Sequence, residues 1–320
     1  MKTISDAAEE LGVNKTTVSR ALSGRGRVGE ETRKRVLDWA KANNFTPNSI
    51  ARSLAAQKSY NIGVVLPESS DNVFFQQCFL GITYAVEVFG YDALAVIDRE
   101  DNIMPLERVV KNRKVDALIV TRLMENDKTV SFLKSSEIPF IVIGTSSDGS
   151  LFTVDAPHRD ASCSMTKYAI ETGAKNIVLL LGGEQYFVNK QRYYGFLDAH
   201  NAAGMEADEN RIFWNVWTSS ADDVGKILSE LDDVDCIACG DEAICSRVIE
   251  YLRLKKADSK ALRLFSFYDG VGLSAKDFPA SAVVIDNIAL GKKAGENIIS
   301  LLQKKSFLKN DTVSYDLKIR

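Results

Sequence analysis

The chain has 320 residues, 45% of them hydrophobic, a formal net charge of −3 and five scattered cysteines. That length asks for more than one core and fits two or three compact units. No apolar run approaches the ~20 residues of a membrane span, and the odd, scattered cysteines suit reduced thiols rather than a disulfide scaffold. The charge is unevenly spread. Residues 1–58 carry eleven basic and six acidic side chains, the remainder 29 basic and 37 acidic. A basic head on an acidic body implies that the head alone touches a polyanion.

The first predicted element is a helix opened by Thr3, with Asp6 in capping-box position and Ile4, Ala7, Ala8 and Leu11 at helical spacing. A capped amphipathic helix is no export signal, so a cytoplasmic protein is expected, lying on the nucleoid when bound to DNA. Gly12 supplies a turn and Asn14 opens a second helix, "KTTVSRALS", with Val18, Ala21 and Leu22 inward. Lys15, Thr16, Ser19 and Arg20 are left outward. Two short helices joined by such a turn form a helix-turn-helix, whose second helix lies in the major groove with its N-terminal residues over base edges. Arg20, one turn on, reaches a guanine edge or a phosphate. A third helix starts after Gly29 and turns Val36, Leu37, Trp39 and Ala40 inward.

Pro47 ends the head. In "PNSIARSLAAQK", Asn48 caps a helix too short to be stable alone in water, so it needs a partner copy or DNA to fold against. Its Leu54 suits a wedge between base steps in the minor groove.

From residue 60 onward, short apolar runs alternate with helical stretches. The runs "YNIGVVLP", "YDALAVID", "VDALIVT" and "PFIVIGT" are followed by "NIVLLLG", "VDCIACG", "LRLFSFY" and "SAVVID". Continuous Val/Ile/Leu runs mark strands covered on both faces. The fold class expected is therefore an all-α helix-turn-helix head plus an α/β body of two doubly wound parallel-sheet lobes. Ligand groups belong at the carboxyl ends of the strands, in a cleft that closes about a hinge.

"TISDAAEELGVNKTTVSRAL", "EETRKRVLDWA", "PNSIARSL" and "IGVVLPESSDNVFF", collinear over nearly the whole chain, resemble the LacI/GalR family of bacterial transcription regulators. The resemblance implies a homodimer whose heads occupy the half-sites of a pseudo-palindromic double-stranded operator, with hinge helices meeting in the minor groove. It implies domains at 1–46 (DNA-binding), 47–58 (hinge) and 59–320 (effector-binding and dimerisation). Lobe one falls at about 60–159 plus 287–320, lobe two at about 160–286. The implied DNA-binding set is Thr3, Lys15, Thr16, Ser19, Arg20, Asn48 and Leu54, with Lys15 and Thr16 the family's variable specificity pair.

The same resemblance implies a small-molecule effector, a sugar or sugar derivative, and no cofactor. Ser69, Ser70, Asn72 and Phe74 match the family's effector-contacting loop, and an aromatic there can stack on a sugar ring. Arg192 matches the Arg that grips the ligand, Asp269 an Asp at a lobe-two strand end, and Trp217 a position that is aromatic in some members. Asp241 sits in the family's Asn-Asp position, with Gly240 for the Asn. "VDAPHRDASCS" departs from the family's Asp-Asn-x-x-Gly, Asn287 stands where an aromatic is common, and Arg122 with Asp98 adds charge near the cleft.

Other chemistry finds little support. Cys236 and Cys239 form a lone CxxC without a second pair, and no Ser-His-Asp order or paired-acid motif supplies an enzyme. The expectation is an effector-controlled regulator, most simply a repressor of a carbohydrate-use operon. The alternatives are a solute-binding protein and a sugar-modifying α/β enzyme; residues 1–58 and the missing nucleophile argue against them.

Overall fold

The computed structural model describes residues 2–23, 26–45, 53, 56–68, 73–99, 102–256, 262–268 and 277–320. Asn48, Leu54, Ser69, Ser70, Asn72 and Asp269, all expected at functional sites, lie outside the described residues. The chain divides into two units, Met1–Ser59 and Tyr60–Arg320.

In the first unit, α1 (Ile4–Leu11), α2 (Lys15–Ser23) and α3 (Glu30–Ala42) surround a small core of Ala7, Ala8, Val18, Ala21, Val36, Trp39 and Ala40. The capping box forms: the Thr3 amide donates to Asp6 Oδ2 at 2.7 Å, and the Asp6 amide to Thr3 Oγ1 at 3.3 Å. Gly12 ends α1 at φ 66°, the left-handed conformation that glycine adopts without steric cost. The Trp39 indole N–H donates to Glu10 at 2.6 Å and Arg35 to the Leu11 carbonyl at 2.8 Å, fixing α3 against α1. Leu37 corrects the sequence reading, being 47% exposed. The inward face of α3 is Val36, Trp39 and Ala40, and a residue one position after Val36 is turned about 100° away from it.

The second unit is two sheets of six strands. Their strands are β1 (Asn61–Pro67), β2 (Asp92–Asp98), β3 (Ala117–Val120), β4 (Phe140–Ile143), β5 (Thr153–Asp155), β6 (Ile177–Leu180), β7 (Ile212–Phe213), β8 (Cys236–Cys239), β9 (Arg263–Phe267), β10 (Ala280–Ile285), β11 (Asn310–Thr312) and β12 (Tyr315–Lys318). The orders are β2-β1-β3-β4-β5-β11 and β7-β6-β8-β9-β10-β12, the same winding twice, with β12 alone antiparallel to its neighbour. The apolar runs alternate faces. Ile119 and Ile141 enter one core and Leu118, Val120 and Val142 the other; Leu179 and Ala238 repeat the pattern against Val178, Leu180 and Ile237. This is why the strands read as continuously hydrophobic.

Among the described residues, eight helices cover these faces: α4 (Val73–Glu87), α5 (Met104–Lys111), α6 (Lys128–Ser135), α7 (His158–Glu171), α8 (Phe187–Ala202), α9 (Ala221–Ser229), α10 (Glu242–Leu254) and α11 (Asn287–Leu302). α11 returns to the first sheet and lies against α4. The end of the chain departs from the expected lobe bounds. β11 joins the first sheet, but β12 crosses back to pair with β10, so Tyr315–Lys318 belongs to the second. Three strands of chain thus connect the lobes, after Asp155, after Ile285 and after Thr312.

The α4–α11 contact is close because it is lined with glycine. A Cβ on Gly81 would overlap the Ile288 carbonyl oxygen, and one on Gly291 the Cys78 carbonyl. Backbone yields poorly, so Gly291→Ala is expected to destabilise the body by at least ~1–3 kcal/mol, read by urea denaturation. An unchanged midpoint would show that the helices separate freely.

Cys236 and Cys239 sit in β8 with side chains in different cores, too far apart in direction to share one ligand. Burial pushes both thiols up, the environment of inert structural cysteine.

Candidate functional site: a cleft between two lobes and an exposed helix face

On α2, Val18 and Ala21 are buried while Lys15, Thr16, Ser19 and Arg20 are exposed. The helix therefore presents one continuous donor-bearing face, with Lys15 and Thr16 in its first turn. Thr3 is exposed too, although its side chain is engaged with Asp6.

In the body, a cavity of about 390 Å³ opens between the lobes. Its walls come from the segments after β1, β3, β6 and β8, the strands at which each sheet's winding reverses. That is the crevice where open α/β sheets bind ligands, and its size suits a small organic molecule.

The structure brings Phe74, Arg122, Arg192, Trp217 and Asp241 to this cavity. Asn287 is not among the lining residues; its Nδ2 donates to Gln77 Oε1 at 3.0 Å, joining α11 to α4. Arg122 and Asp98 do not contribute two loose charges. They pair at 3.0 Å, with Thr129 also donating to Asp98. Phe74 packs at 5.4 Å from the Tyr268 ring, bridging the lobes.

Arg192 is the centre of the lobe-two wall. It is 4% exposed, lies with its guanidinium 4.3 Å from the Phe267 ring centroid, and donates to the Gly240 carbonyl at 2.6 Å and the Tyr268 hydroxyl at 3.1 Å. Its Nε has no partner, and no described carboxylate lies within ion-pair distance. A guanidinium has five N–H donors, so Arg192 keeps donors for a guest.

The lining also holds Asp155, from the "VDAPHRDASCS" stretch that departs from the family pattern, and His158, Glu242 and Tyr268, which are among those that sequence reading did not assign to the site. Asp155 accepts from Thr145 Oγ1 at 2.6 Å and from the Ala156 amide at 2.8 Å, and it contacts His158 Nε2 at 3.4 Å. Burial pushes the His158 imidazole below its ordinary range, and its Nδ1 has no partner among the described residues. Asp241 caps α10 by accepting the Ile244 amide at 2.8 Å. Glu242 follows it, 8% exposed, with Oε2 unpartnered and its carboxyl raised by burial from 4.5 to about 7. The signals for them were thin: Glu242 is one step from a flagged Asp, Tyr268 one step from another.

The raised carboxyl makes a signed prediction. A group that keeps its proton longer when folded lowers stability as pH rises from its unfolded pKa towards its folded one. Relative to Glu242→Gln, the wild type is expected to lose on the order of 3 kcal/mol between pH 4.5 and pH 8. Denaturant midpoints of both proteins across that range check it, and a constant gap would contradict it.

The lobes touch along the cleft mouth. Arg122 donates to the Tyr186 hydroxyl at 2.5 Å, Lys190 pairs with Glu125 at 2.6 Å, and the Glu125 and Phe187 amides donate to the carbonyls of Gln185 and Leu123. Met124 and Tyr186 form an antiparallel bridge.

Two lobes, three connections and a largely apolar cavity with a few convergent polar groups define a hinge-type binder of small molecules, carried on the same chain as a helix-turn-helix. The comparisons say the same. Residues 59–257 match the family described as periplasmic binding proteins and sugar binding domain of LacI family, and residues 3–48 match bacterial regulatory proteins, lacI family. The chain belongs to the LacI family and is a DNA-binding transcription regulator, not an enzyme. The HTH-type transcriptional regulator MalR of Streptococcus pneumoniae is 28% identical over 310 residues, 94% of this chain and 92% of that protein. The Lac repressor dimer bound to operator and the anti-inducer ONPF superposes with a TM-score of 0.85 at 19% identity, covering 100% of this chain and 98% of that one. The complex of the transcriptional regulator CelR with cellobiose superposes at 0.75, also 19% identical, covering 100% and 99%. Among the described residues, no helix is long and apolar enough to cross a membrane.

Proposed function

We propose that this regulator is a cytoplasmic repressor of a carbohydrate-use operon, released from or held on its operator by a sugar bound between the lobes. The observation that carries the reading is the cavity itself. It combines an aromatic wall (Phe74, Trp217, Tyr268) with convergent donors and acceptors from both lobes (Arg192, Asp155, Asp241, Glu242). Sugars present apolar ring faces and hydroxyls that both donate and accept. The names of relatives point the same way, a MalR among the sequences and a cellobiose complex among the structures. Lys15, Thr16, Ser19 and Arg20 are the proposed base and phosphate readers, aided by Thr3, Asn48 and Leu54.

The working form is a homodimer on a pseudo-palindromic operator. Support comes from an apolar stripe on α4 and its end. Leu80, Tyr84, Val88 and Phe89 are 39%, 48%, 78% and 41% exposed, and Ile97 on the neighbouring edge strand β2 is 39% exposed. Two copies of this face would cover it.

A thermal-shift series with glucose, maltose, cellobiose and their analogues tests the sugar reading. A ligand at 100 times its dissociation constant stabilises by ~2.7 kcal/mol. A flat series against all of them would turn the reading away from neutral sugars.

A further inference from the structure

The effector reading leaves several chemical groups of the body unused. The buried cysteines are inert, and His200 is satisfied inside α8 by the Phe196 carbonyl. The lobe-two wall is different. Glu242 is the first residue of α10, buried, lining the cavity, with one carboxyl oxygen that no described residue satisfies. Arg192, from α8 on the opposite face of the second sheet, also lines the cavity, and its Nε has no partner among the described residues. A buried acceptor and a buried cation that are each left incomplete cost stability unless a guest completes them.

We infer that Glu242 is a specificity-determining contact of the effector, accepting hydrogen bonds from the ligand's hydroxyls as a carboxylate and releasing its proton to solvent as the ligand binds. The inference rests on the sugar reading above. Three features favour the ionised form in the complex. Glu242 stands at a helix N-terminus, where a negative charge is stabilised. Arg192 supplies the positive charge that draws the proton off. A hydroxyl between the two can accept from Arg192 while donating to Glu242, which links them into one chain.

In the free protein, burial outweighs these features and keeps the carboxyl protonated up to about 7. The groups that face it are Asp241 on its own helix, Arg192 from α8 and the Tyr268 hydroxyl after β9. Asp155, His158 and Arg247 share the cavity wall. On α9, which packs against α10, Asp223 and Lys226 pair with each other and Asp222 is exposed, so none of them compensates Glu242. The sign follows from linkage: a ligand that lowers a carboxyl pKa binds more tightly as pH rises through the free value.

The test is calorimetric titration of the full-length protein with maltose and with cellobiose, at pH 6 and pH 8, in two buffers of different ionisation enthalpy. The expected result is about tenfold weaker binding at pH 6 than at pH 8, with close to one proton released per site at pH 6 and little at pH 8. Glu242→Gln, which keeps the shape and removes the charge, is expected to bind more weakly at pH 8 and to lose the pH dependence. Binding that is equal at both pH values, or that tightens at pH 6, overturns the inference while leaving the sugar reading intact. So does a pH dependence that survives in Glu242→Gln, which would assign the proton to His158. No binding by either sugar, at either pH, removes the sugar reading and this inference together.

Discussion

Arg192→Ala is expected to abolish the response to effector while leaving operator affinity unchanged. The side chain is nearly wholly buried and holds two separate segments at once, the Gly240 carbonyl after β8 and the Tyr268 hydroxyl after β9. Its remaining donors are the strongest candidates for the ligand. Hydrogen bonds from a charged donor contribute ~1.5–3 kcal/mol each, so losing two predicts at least a hundredfold weaker binding. The variant is also expected to melt lower, because truncation leaves the Gly240 carbonyl without this donor and empties the space beside Phe267. Arg192→Lys separates the two effects. It retains charge and most of the packing but not the planar fork, so it should melt close to the wild type and still bind effector poorly. Calorimetry and melting curves on both variants decide; wild-type ligand affinity in Arg192→Lys would reduce the residue to packing.

The second large effect belongs to the head. Lys15 and Arg20 are exposed on the α2 face that the buried Val18 and Ala21 orient away from the core. A lost bidentate base contact costs ~1–3 kcal/mol and a lost phosphate contact lowers the salt slope by about one. Lys15→Ala with Arg20→Ala is therefore expected to weaken specific binding by at least thirtyfold and to flatten its salt dependence. Sugar binding should not change, because residues 1–59 and 60–320 are separate units. Anisotropy titrations at several salt concentrations measure both quantities, and an unaltered affinity would remove this face from the DNA contact.

Much of the fold was legible because its signals are local. The longer strands announce themselves as apolar runs flanked by turn residues, and Thr3, Asp6 and Gly12 do as caps what their chemistry suggests. The parts that escaped depend on distant partners. β11 and β12 are three and four residues long, half exposed and polar in part; they are strands only because β5 and β10 present edges to them. The third crossing, at Thr312, was invisible for that reason. In the site, residues inside a motif were found and residues made special by burial were not. Nothing in "GDEAICS" shows that Glu242 loses water on folding, and nothing near Asn287 shows that its amide meets Gln77 across 210 positions. Leu37 failed in the other direction, as an apolar residue one step off a buried face.

We propose that one chain couples a sugar in the cleft to DNA at the head. The direct measurement is fluorescence anisotropy of the full-length protein on a duplex that the protein itself selects from a random pool, with and without whichever sugar raises its melting temperature. The expected result is nanomolar-range specific binding that the sugar shifts by tenfold or more, a coupling of ~1.4 kcal/mol or larger. An operator affinity that stays the same at saturating sugar would contradict it.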